Sequence, residues 1–289
     1  MNILVTGCYG QLGRELQKLA ERSTERQWYF TDVDTLDITD PDAVERYFSK
    51  HHIGVCINCA AYTAVDQAED EPELASRVNA LAPQILANTC FKHKALLVHV
   101  STDYVFDGNG DRPYQVTDPV NPQSVYGRTK AEGERFIHES GCNHIIVRTA
   151  WLYSSNGKNF VKTMLRLADE HPEINVVNDQ RGCPTWAHDL AHAIVLLMDH
   201  YGSEPVKETF HFTNEGNITW YDFACAIMEV AGKTCKVNPI TTDQFPAKAH
   251  RPAYSVLDLS KVKQVTGMEI PSWRRSLAGC IEEIINKTE

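Results

Sequence analysis

Short, almost wholly apolar runs alternate with longer segments of helical period from the first residue onward. Residues 2–6, 28–32, 55–59, 96–101 and 144–148 have the length and composition of strands buried on both faces. Between them, residues 11–21, 41–51, 73–93 and 124–140 repeat apolar positions at the spacing of amphipathic helices. Asp40 before Pro41 reads as a helix start, with a carboxylate N-cap followed by a first-turn proline whose missing N–H costs nothing there. Strand–helix alternation of this kind predicts an α/β architecture, a doubly wound parallel sheet covered by helices on both faces.

The pattern loosens after about Trp151, where Asn-, Gly- and Pro-rich stretches surround helical segments near 160–170, 187–201, 220–231 and 272–287. The expected organisation is a first domain over 1–150, with 174–212 returning to it, and a smaller C-terminal domain from 151–173 and 213–289. No repeat, low-complexity tract or Gly/Ser linker separates them, so a tight shared interface is expected.

Length and composition narrow the field further. A chain of 289 residues, 43% apolar and 23% charged, has ample material for a core and is neither disordered nor fibrous. Its formal charge of −10 disfavours nucleic acid and anionic membrane as partners. The sequence shows no secretory leader and no apolar run near 18 residues, and the nine scattered cysteines read as reduced thiols, which together suggest a cytoplasmic protein. The lone C-x-x-C, Cys56 and Cys59, lies in an apolar strand and is expected to serve core packing. The twelve histidines show no ligand spacing, so no metal site is expected from them.

Candidate chemistry begins at Gly7-Cys8-Tyr9-Gly10-Gln11-Leu12-Gly13, between the first strand and the first helix. Glycines there permit a tight turn and close approach of the backbone to a pyrophosphate. The helix N-terminus then offers N–H donors and partial positive charge. This points to dinucleotide binding on a Rossmann-like sheet. Asp32 ends the second strand, 19 residues after Gly13. A carboxylate there suits an adenosine ribose hydroxyl and repels a 2′-phosphate, whereas Arg14 beside the loop pulls the other way. NADH and NADPH both stay open on these residues, and Asp32 also fits a turn-capping role.

The second signal is Tyr126-Gly127-Arg128-Thr129-Lys130, whose i, i+4 spacing puts Tyr126 and Lys130 on one helix face. A phenol is a poor acid at neutral pH, and a nearby ammonium lowers its pKa toward the useful range. Thr102 lies at the C-terminal end of an apolar strand, the sheet edge where ligands of such folds gather. It is expected to donate a hydrogen bond to the same substrate oxygen as Tyr126.

These motifs resemble the extended short-chain dehydrogenase/reductase superfamily, and within it the dTDP-4-dehydrorhamnose reductases. The resemblance spans the chain through Leu36–Thr39, Ala60–Asp66, Ser101–Gly108, Arg148–Tyr153, Asp179–Thr185 and Arg251–Asp258. It implies NAD(P)H-dependent reduction of the 4-keto group of dTDP-4-dehydro-6-deoxy-L-mannose. Tyr126 would be the general acid, Lys130 would lower its pKa and hold the nicotinamide ribose, and Thr102 would orient the carbonyl. Gly7, Gly10, Gln11, Leu12, Gly13 and Asp32 would bind the cofactor. Asp37 and Ile38 would lie against its adenine, and Ala60, Ala61 and Tyr62 along its inner part. Val65, Asp66, Thr102, Asp103, Tyr104, Trp151, Arg181 and Arg251 would meet the dTDP-sugar. Trp151, Asp66 and Arg251 also fit plain roles in the core, a helix cap and a surface ion pair. Some family members bind magnesium between subunits. Trp186-Ala187-His188-Asp189 lacks an obvious glutamate pair here, so magnesium is doubtful, and the chain is expected to be a monomer or homodimer.

Two further readings compete. A nucleotide-sugar epimerase or dehydratase shares the scaffold, but dehydratases usually carry Asp-Glu after the threonine, where this chain has Asp103-Tyr104. A non-catalytic regulatory subunit resembling the β subunit of methionine adenosyltransferase need not keep Thr102, Tyr126 and Lys130 together.

Overall fold

The computed structural model describes residues 1–22, 25–202 and 204–287. Its first half runs β1 (Asn2–Thr6), α1 (Gln11–Ala20), β2 (Gln27–Thr31), α2 (Pro41–His51), β3 (Val55–Asn58), α3 (Val65–Ala68), α4 (Pro72–Ser76), α5 (Ala82–His93), β4 (Leu96–Thr102), α6 (Val125–Ser140) and β5 (Asn143–Thr149). The second half adds β6 (Leu152–Tyr153), α7 (Phe160–Glu170), β7 (Glu173–Val177), β8 (Arg181–Gly182), β9 (Thr185–Trp186), α8 (Ala187–Tyr201) and β10 (Lys207–His211). It ends with β11 (Ile218–Thr219), α9 (Trp220–Val230), β12 (Lys236–Ile240), α10 (Ser260–Thr266) and α11 (Trp273–Asn286).

Six strands form one parallel sheet in the order β2-β1-β3-β4-β5-β10. The two-residue alternation of each strand sorts its side chains into two cores. Ile3, Val5, Val55, Ile57, Ile145 and Val147 pack under α1, α8 and α10, whereas Leu4, Cys56, Leu97 and Ile146 face α2, α5 and α6. Asp40 caps α2 as expected, accepting from the Asp42 and Ala43 N–H groups. Connections leave β1 toward β2 on one side and cross back to β3 on the other. The order therefore reverses between β1 and β3, and a ligand crevice opens beyond the C-terminal ends of these strands.

Two expectations change. The helix anticipated over 73–93 is interrupted by a π turn at Arg77–Leu81, between α4 and α5. Pro83 has no N–H to offer the Asn79 carbonyl four residues back, so the chain widens there instead of continuing the α-helical ladder. Of the segment 174–212, only α8 and β10 join the first domain. β7 pairs with β12 in a separate two-stranded sheet, and its Ile174 and Val176 pack in a third core with α7, α9 and α11.

Candidate active site

Two adjoining cavities, of about 540 and 320 Å3, follow the C-terminal edge of the sheet and share Gly7, Gly10, Cys59 and Ala61 in their walls. The glycine turn forms their junction. Gly7 has φ +67°, and a Cβ there would lie 2.7 Å from the Ala60 backbone nitrogen, so no side chain fits. Gly10 caps α1 in extended conformation, leaving the helix N-terminus beside the crevice. Gln11, Leu12 and Gly13 line the larger cavity.

The smaller cavity is lined by Asp32, Val33, Leu36, Asp37, Ile38, Thr39, Ala60 and Val78. The Asp32 carboxylate accepts from the N–H groups of Tyr9 and Val33, each at 2.9 Å, so it braces the glycine loop from inside this cavity. Arg14 instead donates from Nε to the Tyr9 carbonyl (3.1 Å). Asp37 accepts from both the hydroxyl and the N–H of Thr39, which hold its carboxyl below the usual range. A Cβ-free turn, a helix N-terminus and a carboxylate at the end of β2 together fit a dinucleotide.

The larger cavity brings Thr102, Tyr126 and Lys130 together. Thr102 ends β4, and the other two lie on α6, which Ser124 caps by accepting from the Gly127 N–H. Gly127 lets the first turn of α6 sit on the chain after β4: a Cβ there would be 2.2 Å from the Tyr104 carbonyl oxygen. A buried bidentate ion pair, Arg148 on β5 with Glu134 on α6 (2.7 Å), fastens the helix to the sheet. Thr102 Oγ1 donates to Asp103 Oδ1 at 2.9 Å.

Burial dominates the titration of this set. It pushes Tyr126 up to about 12, against a hydrogen bond with Thr102 that favours the phenolate, and the Asp103 carboxylate adds to the rise. Burial brings Lys130 down to about 8. It also raises Asp103 to about 6, against hydrogen bonds from Thr102 and Ser255. Lys130 is not among the groups that shift the phenol in this arrangement. Its Nζ lies 2.6 Å from the Val100 carbonyl and 3.2 Å from His99 Nε2, and desolvation of the phenol prevails.

The remaining candidates divide. Val65, Asp103, Tyr104 and Trp151 line the larger cavity. Trp151 adopts φ +49°, and its indole stacks on Trp220 with centroids 3.6 Å apart. Asp66 and Arg251 pair with each other at 2.5 Å, and Arg251 Nε is buried without a partner. Arg181 is spent on Asn217, to which its guanidinium donates at 3.0 and 3.2 Å. Tyr62 directs its hydroxyl to Glu71. Asn79, in the π turn, clamps the Tyr62 backbone by accepting from its N–H (2.8 Å) and donating to its carbonyl (3.0 Å). Sequence reasoning missed Asn79, Trp220, His99 and Asn58. The only hint was Pro83, because a proline inside a helical pattern forecasts a distorted turn. Cys59 is not purely core, since it lines both cavities.

The acidic side chains near α8 are already engaged. Asp189 accepts from Asn214 and Ser276, and Lys18 Nζ sits between Glu15 (2.9 Å) and Glu283 (2.6 Å). Among the described residues no three His, Cys, Asp or Glu side chains are arranged to hold a metal ion. No helix among them is long and apolar enough to cross a membrane.

Comparison with known proteins agrees with this geometry. The family model described as RmlD substrate binding domain matches residues 1–286. The dTDP-4-dehydrorhamnose reductase of Aggregatibacter actinomycetemcomitans is 44% identical over 283 residues, covering 95% of this chain and 96% of that protein. A solved dTDP-4-dehydrorhamnose reductase from Clostridium acetobutylicum superposes with a TM-score of 0.94 at 44% identity, covering 99% of this chain and 100% of that one. A second, from Bacillus anthracis in complex with NADP, gives 0.92 at 38% identity and covers 98% and 99%. On the strength of near-full-length similarity and a doubly wound sheet with its crevice at the glycine turn, this chain belongs to the RmlD substrate binding domain family.

Proposed function

We propose that this chain is an NAD(P)H-dependent oxidoreductase that reduces the 4-keto group of dTDP-4-dehydro-6-deoxy-L-mannose, yielding dTDP-L-rhamnose. One observation carries the reading. Thr102, Tyr126 and Lys130 line a cavity that adjoins a second one at the glycine turn. Bound there, the cofactor supplies the hydride to the sugar carbonyl carbon. Thr102 orients the carbonyl oxygen by hydrogen bonding, and Tyr126 gives that oxygen its proton as negative charge develops. Lys130 holds the nicotinamide ribose and offers positive charge to the phenolate that remains.

The glycine turn and the N-terminus of α1 receive the pyrophosphate, with Asp32, Asp37 and Ile38 at the adenosine end and Ala60, Ala61 and Tyr62 along the inner part. The first domain with α8 and β10 holds the cofactor, and the second lobe closes over the dTDP-sugar. Val65, Asp103, Tyr104 and Trp151 contact the sugar. Arg251 and Arg181 face its diphosphate once released from Asp66 and Asn217.

The test supplies purified protein with NADPH or NADH and dTDP-4-dehydrorhamnose, following loss of reduced-nicotinamide absorbance and the sugar product. Tyr126→Phe is expected to bind cofactor normally while turnover falls by about 10²–10⁴-fold, the usual contribution of a general acid. Absence of turnover with either cofactor overturns the assignment. Near-normal turnover in the variant moves the proton donor elsewhere.

A further inference from the structure

Trp151 stands at the crossing from the first domain to the second lobe, between the end of β5 and the start of β6, and its backbone is left-handed with φ +49°. A side chain of that bulk is rare in this region because its Cβ crowds the following carbonyl, and it persists only where the surroundings over-determine it. Three contacts do so. The Trp151 carbonyl accepts from the Thr185 N–H at 3.2 Å. The indole lies flat on Trp220, with centroids 3.6 Å apart and planes within 13°. Gly182 comes so close to the six-membered ring that a Cβ there would stand 2.7 and 2.8 Å from Cε2 and Cζ2.

Trp220 and Gly182 belong to one braced piece of the second lobe. β8 and β11 pair antiparallel, with Gly182 opposite Ile218 and Arg181 opposite Thr219, and β11 runs directly into α9, whose first residue is Trp220. A capping box fixes that transition. Thr219 Oγ1 accepts from the Asp222 N–H at 3.1 Å, and the Asp222 carboxylate accepts from the Thr219 N–H at 2.9 Å. Phe160 and Phe223 pack on Trp220 with centroids 4.6 and 6.4 Å away. The seat for the indole is therefore set by a ladder, a helix cap and aromatic packing, and not by the indole that it receives.

The seated indole also lines the larger cavity, whose walls carry Thr102, Tyr126 and Lys130. A tryptophan free to change rotamer would have to be ordered whenever a ligand arrived, at a cost to binding. The contacts with Trp220 and Gly182 remove that freedom beforehand. We propose that Trp220 and Gly182 are positioning residues, which hold the Trp151 indole as a preorganised wall for the sugar ring of the substrate. Both act through Trp151. The inference rests on the larger cavity being the sugar site for its consequence in KM, but not for the seating of the indole.

The test uses the full chain and three variants. Trp220→Leu keeps apolar volume but removes the flat face, Trp220→Phe keeps a smaller face, and Gly182→Ala drives a methyl group into the indole. In Trp220→Leu and Gly182→Ala the KM for the dTDP-sugar is expected to rise about tenfold, the order of one aromatic contact, with kcat within about threefold and the NADPH Kd within about twofold. Trp220→Phe should restore most of the loss. A role in packing alone would lower the folded fraction, and so lower kcat at unchanged KM. Fluorine NMR of fluorotryptophan-labelled protein, with the Trp151 line assigned by its disappearance in Trp151→Phe, is expected to show one narrow line in the unaltered protein. In Trp220→Leu that line should broaden or divide as the indole samples more than one orientation. A single narrow line in folded Trp220→Leu overturns the proposal, as does an unmoved sugar KM. An equal rise in the NADPH Kd also overturns it, because the indole would then serve the cofactor. Where Gly182→Ala does not fold, Trp220→Leu decides alone. The fluorine result requires no turnover, so failure of the reductase assignment and failure of this inference are separable.

Discussion

Replacing Gly127 by alanine tests whether the seating of α6 on the chain after β4 sets the catalytic geometry. The added Cβ would lie 2.2 Å from the Tyr104 carbonyl oxygen, a backbone atom that no side-chain rotation can move. Real Cβ atoms essentially never come closer than 3.0 Å, so helix and carbonyl must part by about 0.8 Å. Overpacking of this kind costs about 1–3 kcal/mol, and the better helix propensity of alanine returns about 1 kcal/mol. Net destabilisation is therefore about 0–2 kcal/mol, a fall in Tm of no more than roughly 8 °C. Catalysis should suffer far more, because Tyr126 precedes the wedge by one residue and Lys130 follows it by three. A displacement near 1 Å costs on the order of 100-fold. The assay is reduced-nicotinamide oxidation at saturating cofactor alongside thermal unfolding. A kcat within threefold of the unaltered protein, in a folded variant, would refute the claim that this contact positions the acid.

The other predictions draw on separate parts of the molecule. Asp32→Ser removes a carboxylate from the adenosine-end cavity. It should raise the NADPH-to-NADH ratio of kcat/KM about tenfold, since a carboxylate near a 2′-phosphate costs about 1–2 kcal/mol at intermediate dielectric; an unchanged ratio would mean that the 2′-position lies elsewhere. Arg148→Met strands the buried Glu134, whose side chain is only 5% exposed. Denaturant unfolding should register a loss of about 3–5 kcal/mol, most of it recovered in Arg148→Met/Glu134→Leu. Asp103 is raised from 3.8 to about 6 by burial. The fold therefore prefers its neutral form, and that contribution is complete below about pH 4 and lost as pH rises through about 6. Asp103→Asn should accordingly unfold at a Tm several degrees above the unaltered protein at pH 8, a difference of about 2–3 kcal/mol that closes near pH 4.

Much of the architecture is local in origin and was readable from the chain. Apolar runs too short for helices and apolar on both faces had to be buried strands, and Asp40-Pro41 announced its helix through capping chemistry. The glycine turn was legible because its residue types answer a local steric demand. The Tyr126–Lys130 pair was legible because helical spacing alone puts both on one face. Their meeting with Thr102 followed from the tendency of ligands to gather at one sheet edge.

What the tertiary structure decided are the relations between segments distant in sequence. β7 left the main sheet because β12, more than 50 residues on, offered it a partner and a third core to cover. The Asp66–Arg251 and Arg181–Asn217 contacts depend on loops that no periodicity locates. Protonation was beyond the sequence altogether. Spacing suggested a lysine that lowers the tyrosine, but desolvation raises the phenol, and the amine is taken up by His99 and Val100. Residue identity and helical period thus determined which groups are available, whereas desolvation and hydrogen-bond direction, set by strands that converge only in the folded chain, determined the charge each one carries.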